Sequence, residues 1–445
     1  MKATIIRNAR IVNEGNITEV DLLINGGRIE RIGGTIATSH TNNEIDARGC
    51  FLLPGAIDDQ VHFREPGLTH KGEILTEARA AVAGGITSYM EMPNTVPSAV
   101  TIGKLEEKYS RAAEVSLANY SFYMGTTNSN IEEVKKVDPR TMCGVKIFMG
   151  SSTGDMLVDD PSALEAIFRY SPTIITTHCE DDPMIKLNAA RYREQYGDDI
   201  PPSMHPLIRD EQACYKSSSF AVELARQTGA RLHILHISTA RELDLFRNDL
   251  PLEQKRITAE ACIHHLWFCD ADYKDKGNFI KWNPAVKTVA DRAAIRQAVL
   301  DDRIDVIATD HAPHTLEEKQ QHYFKAPSGG PLVQHALVAM LDFVNQGWIS
   351  IEKVVEKMSH APAILFNVSD RGFIREGYWA DLVMVDPERP SLVTRDSLLY
   401  KCGWSPFEGH TFRSSVLKTW VNGHLAYDDG HFDESAKGMR LGFNR

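Results

Sequence analysis

The sequence predicts an α/β fold: a (β/α)8 barrel of the TIM type with a small β-sandwich domain composed from both termini. Three observations predict it. Eight short apolar strands alternate with helical stretches through the middle of the chain. Histidine and aspartate recur where those strands end, and both ends of the chain are strand-rich and punctuated by Asn-Gly turns.

At the N-terminus, strands are expected at Ala3 to Val12, Val20 to Ile24 and Arg28 to Ile32, with Asn25-Gly26-Gly27 as a hairpin turn in which positive φ comes easily. The C-terminal part returns to this style at Asp381 to Val385 and Val416 to Val421, followed by Asn422-Gly423. Residues 1–53 and 378–445 are therefore expected to form one composite β domain, and residues 54–377 the barrel.

In the barrel, strands are expected at Gly55 to Phe63, Ile86 to Met92, Tyr120 to Met124, Gly144 to Met149, Thr173 to His178, Leu232 to Ile237, Ile257 to Ala261 and Ile304 to Thr309. Helices are expected between most of them, at Thr76 to Ala83, Ile102 to Val115, Ser162 to Arg169, Asp210 to Thr228, Thr239 to Arg247 and Val289 to Leu300. In such barrels the chemistry gathers at the C-terminal ends of the strands.

Composition sets outer limits. The chain has 445 residues, 42% hydrophobic and 24% charged, and no apolar run approaches the ~20 residues of a membrane span. Its first residues turn polar too soon for a secretory signal. Seven cysteines without C-x-x-C spacing predict thiols in a reducing cytoplasm. A formal charge of -11 argues against a nucleic-acid surface. It leaves a small anionic substrate open, because a few buried Arg and His set the local sign.

The strand ends carry a coherent set of side chains. Gln60 and His62 close the first strand, Lys146 lies in the fourth, His178 closes the fifth, His236 the sixth and Asp310 the eighth. Strand side chains alternate faces, so Asp58, Gln60 and His62 are expected to point the same way. His233 and His236 are three apart and should face opposite sides, with His236 at the mouth and His233 packed under a helix. A single strand histidine is ordinarily structural. Three histidines and an aspartate at the same end of four strands match the imidazole and carboxylate donors that zinc and similar ions take. Lys146 interrupts an apolar strand, where a bare ammonium is expensive to bury. It could pair with a carboxylate, snorkel to the rim, or carry a depressed pKa and add carbon dioxide to become an anionic carbamate ligand.

Several segments follow one another in a known order. They are Asp58-Asp59-Gln60-Val61-His62-Phe63-Arg64-Glu65-Pro66-Gly67, Met92-Pro93-Asn94-Thr95, Gly144 to Met149, Thr177-His178-Cys179-Glu180, Leu235-His236-Ile237-Ser238-Thr239, Asn283-Pro284 and Thr309-Asp310-His311-Ala312-Pro313-His314. Together with Asn8 to Val12, Gly27 to Ile29 and Gly377 to Val383 at the ends, this series resembles the class I dihydroorotases of the amidohydrolase superfamily. The resemblance covers nearly the whole chain. It implies reversible cyclisation of N-carbamoyl-L-aspartate to L-dihydroorotate in pyrimidine biosynthesis, with one or two zinc ions per chain. His62, Asp310 and an N6-carboxylated Lys146 would hold one ion, and Lys146, His178 and His236 the other. Asp310 would also move the proton between water and the departing ring nitrogen. Arg64, Asn94, Asn283 and His314 would recognise the substrate, Arg64 through its carboxylate-matching fork. The plainer readings are an Arg64 salt bridge to Glu65 and turn chemistry for the two asparagines. The resemblance further implies a homodimer.

One position departs from the pattern. The family's first strand usually reads His-x-His, and Gln60 stands at the first position, which predicts weaker binding of the first ion. Two other readings follow: a sister cyclic amidase (allantoinase or dihydropyrimidinase/hydantoinase), or a catalytically weak subunit assembled with aspartate transcarbamoylase. Arg64 discriminates against the first, and the retained His62, Lys146, His178, His236 and Asp310 weigh against the second. The segment Lys325 to Leu332 could offer backbone N–H groups to the substrate or be a plain Gly/Pro loop.

Overall fold

The computed structural model describes residues 3–37, 43–150 and 154–445. Five strands open the chain: β1 (Thr4–Asn13), β2 (Asn16–Asn25), β3 (Arg28–Gly33), β4 (Asn43–Asp46) and β5 (Phe51–Pro54). Nine more build the barrel: β6 (Ala56–Val61), β7 (Ile86–Glu91), β8 (Asn119–Phe122), β9 (Met124–Gly125), β10 (Val145–Phe148), β11 (Ile175–His178), β12 (Leu232–Ile234), β13 (Ile257–Cys262) and β14 (Val306–Ala308). The remaining strands are β15 (Leu382–Asp386), β16 (Ser391–Leu392), β17 (Thr411–Phe412), β18 (Ser415–Val421), β19 (His424–Asp428) and β20 (His431–Phe432).

Strands from the two chain ends share one sheet, in the order β20-β19-β18-β15-β5-β1-β2-β3, with β4 on β1. The join is made by β15, which pairs antiparallel with both β5 and β18. This sheet carries its own apolar cluster, including Ile6, Ile11, Leu22, Leu52, Leu382 and Trp420.

The barrel strands run parallel in two hydrogen-bonded stretches, β6-β7-β8 and β9-β10-β11-β12-β13-β14. Tyr123 separates β8 from β9, which together occupy one expected strand position. The barrel closes where Val61 bridges His311 in parallel and His62 N donates to His311 O at 2.7 Å. Most of these strands are buried along their whole length, as parallel strands covered on both faces must be.

One expected helix shortens, and helices at Asp182–Tyr196, Ala336–Asn345 and Ile351–Val355 fall outside the expected set. Thr239 to Arg247 forms only a short 3-10 turn, Arg241–Leu245. Its Glu242 carboxylate is held by Ser218 Oγ and Thr239 Oγ1, which pins the segment against the neighbouring helix. A helix not expected from the sequence spans Asp182–Tyr196, capped by Asp181, with Ile185 as its one buried residue. A helix so exposed leaves no apolar stripe to read.

Candidate active site

The barrel mouth opens into a cavity of about 360 Å³ lined by His62, Arg64, Asn94, Lys146, His178, His236, Asn283, Asp310 and His314. Every candidate site residue from the sequence is therefore in one place. Gln60, Phe148, Trp282, Ala312 and the backbone of residues 327–329 complete the lining.

Three of these residues bend the chain at the strand ends. Arg64, His236 and Asp310 adopt φ of 70°, 40° and 48°. Non-glycine residues seldom take such values, and they concentrate where a site dictates side-chain aim. The strict alternation expected of the first strand fails for a related reason. The pairing of β6 with β7 shifts register between Asp58 and Val61. Asp58 instead receives Thr309 N and Oγ1 at 3.2 and 2.6 Å, tying β6 to β14. His233 lies near the helical Phe366 ring, but its Nε2 faces inward, 3.2 Å from Asp59. The positive φ at His236 ends the alternation in β12, so both histidines point into the barrel at different depths.

Donor atoms converge in two groups. His178 Nδ1 stands 3.0 Å from His236 Nε2, while His178 Nε2 is held at 2.8 Å by Glu180, itself clamped by Arg209. A carboxylate on the far nitrogen fixes the tautomer of a ligating histidine. In the second group His62 Nε2 lies 3.3 Å from Asp310 Oδ1, and its Nδ1 is 2.7 Å from Asn94 Oδ1. Two ligands on one tetrahedral ion are separated by about 3.3 Å when each bond is about 2.0 Å, so both spacings suit a bound metal. Gln60 does not aim its oxygen at this group. Its Nε2 donates to Asp310 Oδ1 at 3.3 Å, and its Oε1 lies 3.6 Å from Cys262 Sγ.

Electrostatics favours ligating protonation states. Burial lowers the pKa of His62, His178 and His236, keeping the imidazoles neutral with lone pairs to offer. Burial pushes the Lys146 ammonium down to about 8, against the pull of Asp310 and Glu260, while its Nζ lies 4.6 Å from the Phe148 ring centre. Burial likewise pushes Asp310 up to about 7, opposed by Lys146, His178 and Arg64.

Arg64 and His314 face this centre. Arg64 is buried, and among the described residues it forms no salt bridge; Nε donates to Pro313 O at 3.0 Å and Nη2 lies 3.1 Å from His314 Nε2. Glu65, its neighbour in sequence, is occupied by Arg111 at 2.7 Å. Lys71 Nζ meets the other side of the His314 ring at 3.0 Å, a partner with no signal in the sequence. Residues 327–329 are held against the cavity by Lys319 Nζ, which donates to Pro327 O and Gly329 O at 2.9 and 2.8 Å. Glycine is required there: at Gly329, with φ of 125°, a Cβ would lie 2.5 Å from Ala312 O.

All seven cysteines are unpaired and buried. Among the described residues no helix is long and apolar enough to cross a membrane.

Comparison with known proteins gives a consistent picture. Residues 49–242 match the Dihydro-orotase-like family model, and residues 207–426 match the Amidohydrolase family model. A dihydroorotase of Halobacterium salinarum is 34% identical over 95% of this chain and 96% of its own length. An allantoinase of Bacillus velezensis is 30% identical over 96% of this chain and 94% of its own. The solved structure of an L-hydantoinase (dihydropyrimidinase) from Arthrobacter aurescens superposes with a TM-score of 0.92 at 26% identity, covering 97% of this chain and 98% of that one.

Proposed function

The chain belongs to the amidohydrolase family, among its dihydroorotase-like hydrolases of cyclic amides, and we propose that it interconverts L-dihydroorotate and N-carbamoyl-L-aspartate. One observation carries the choice of substrate. Arg64, a buried guanidinium without a salt bridge among the described residues, shares the cavity with the metal-type donors. A buried unpaired charge is costly, so it calls for an anionic ligand. The carboxylate of dihydroorotate supplies one. Neutral ring amides such as dihydrouracil do not.

In this reading Lys146, His178 and His236 would hold one divalent ion, and His62, Asp310 and Lys146 would hold a second more weakly. Lys146 adds carbon dioxide to its neutral amine, releasing a proton and gaining the anionic oxygens that two positions require. The ions, of the zinc type, supply Lewis acidity and an acidified water when bound.

The protein's own side chains do the rest. Arg64 and His314 bind the substrate carboxylate, with Asn94 and Asn283 at the ring edge. Trp282 and Phe148 wall the cavity. Asp310 takes a proton from the attacking water and delivers it to the ring nitrogen as the carbon–nitrogen bond breaks. In ring closure it removes the ureido proton and returns it to the departing oxygen. Gln60 and Trp282 Nε1 both bond Asp310, through the carboxylate and the backbone carbonyl, and hold it in place.

The test compares dihydroorotate, allantoin and dihydrouracil as substrates of one metal-loaded preparation. Preference for dihydroorotate that collapses in Arg64→Met supports the reading; preference for a neutral ring amide refutes it.

A further inference from the structure

A second group of donors lies sealed inside the barrel, outside the cavity lining. Asp59 on β6, His233 on β12 and Glu260 on β13 are completely buried, and one ligand atom from each falls within 4.8 Å of the others. His233 Nε2 is 3.2 Å from Asp59 Oδ2 and 3.9 Å from Glu260 Oε2. Neither approach has the geometry of a hydrogen bond. Both carboxylate oxygens of Asp59, together with Glu260 Oε2 and His233 Nε2, lack any hydrogen-bond partner. Buried polar atoms are nearly always satisfied, and a cluster of exceptions marks a place for something else, water or an ion.

The hydrogen bonds around the cluster favour an ion. Thr258 Oγ1 lies 3.3 Å from Leu232 O and 2.8 Å from His233 Nδ1; with its one proton given to Leu232 O, the hydroxyl oxygen accepts from His233 Nδ1–H. In the neutral ring the lone pair then sits on Nε2, aimed at the two carboxylates. Ligating histidines are oriented in this way by a partner on the other nitrogen. Glu260 is fixed likewise. Its Oε1 accepts from His236 N at 2.8 Å and Cys262 Sγ at 3.1 Å, which leaves Oε2 to face the cluster. Two carboxylates and a neutral imidazole balance a dication, and one nitrogen with two oxygens suits a first-row transition ion. The His233–Asp59 spacing of 3.2 Å matches the ~3.3 Å ligand separation of a tetrahedral site, and the His233–Glu260 spacing of 3.9 Å closes to it with a side-chain shift of about half an ångström.

We propose that Asp59, His233 and Glu260 bind a divalent transition-metal ion that ties β6, β12 and β13 together beneath the mouth. The site is separate from the mouth ions and does not depend on which substrate the enzyme takes. It places Asp59 beside Gln60 with a purpose: the first strand gives up a donor at the mouth and gains one a layer below.

The experiment is diffraction from crystals of the full chain grown with Zn(II), with data on both sides of the zinc absorption edge. An anomalous peak among Asp59, His233 and Glu260 is the expected result. A mouth occupied by zinc with no peak below it overturns the proposal. In solution, Lys146→Ala combined with His178→Ala should remove the mouth zinc and leave one equivalent per chain, which adding Asp59→Asn then removes. A mouth-deficient protein that binds no zinc means that protons alone hold the cluster together, and the proposal fails. Should the Asp59 variant not fold, the diffraction result on the unmodified protein decides.

Discussion

Gln60 donates from Nε2 to Asp310 Oδ1 at 3.3 Å, the same oxygen that His62 Nε2 approaches at 3.3 Å. The amide thus presents a proton where the family's usual histidine presents a lone pair, and the proposed metal position at His62 and Asp310 is one nitrogen short. Gln60→His should therefore strengthen zinc binding at that position by about 10-fold or more, judged against the affinity changes caused by even indirect ligand support. Titration of zinc into apo-protein, comparing stoichiometry and the weaker dissociation constant, checks this. Unchanged binding would show that Gln60 is not what limits the position.

Arg64 has no carboxylate salt bridge among the described residues, so its charge is free to meet a substrate. Arg64→Met removes a charge-assisted hydrogen bond pair worth roughly 1.5–3 kcal/mol, a loss of about 10- to 100-fold in kcat/KM, mostly through KM. Metal content should be unchanged. Steady-state kinetics and elemental analysis of the same sample separate the two effects.

Lys146 titrates near 8 because burial disfavours its charged form. Below that pH the amine is protonated and cannot attack carbon dioxide; above it the neutral form dominates. At a fixed concentration of dissolved carbon dioxide, reactivation of metal-free, decarboxylated protein by zinc should accordingly accelerate as pH rises towards about 8 and level off above it. Lys146→Ala should lose both metal and activity, with partial rescue by a short carboxylic acid. A pH-independent reactivation rate, or full metal in the alanine variant, contradicts the carbamate role.

Glu180 is kept ionised, its pKa drawn down to about 2 because Arg209 and His178 outweigh the cost of burial. It fixes the His178 ring through Nε2. Glu180→Gln should lower zinc affinity by about 10- to 100-fold, as loss of such support does in other metal sites. Competition with a chromophoric chelator measures it.

The barrel is legible in the sequence because its parallel strands are buried on both faces and stand out as short apolar runs. The mouth is legible because histidine, lysine and aspartate are conspicuous at the ends of such runs. What depends on backbone detail is not. The register shift in β6 separates Asp58 from the mouth and turns Asp59 inward, and no spacing rule anticipates it. The orientation of His233 escapes for a similar reason, since β12 is only three residues long and the chain turns at His236. Partners far apart in sequence are hidden as well. Arg209 reaches Glu180, and Lys71 reaches His314, through tertiary packing that brings distant loops to the same rim. The helix Asp182–Tyr196 lies outside the pattern because it buries almost nothing.

The most direct measurement is the interconversion of L-dihydroorotate and N-carbamoyl-L-aspartate by purified, zinc-loaded protein of known metal content, followed in both directions. Turnover is expected both ways, in proportion to occupancy of the mouth and abolished by its chelation. No turnover above background in a fully metallated sample, with and without aspartate transcarbamoylase present, would contradict it.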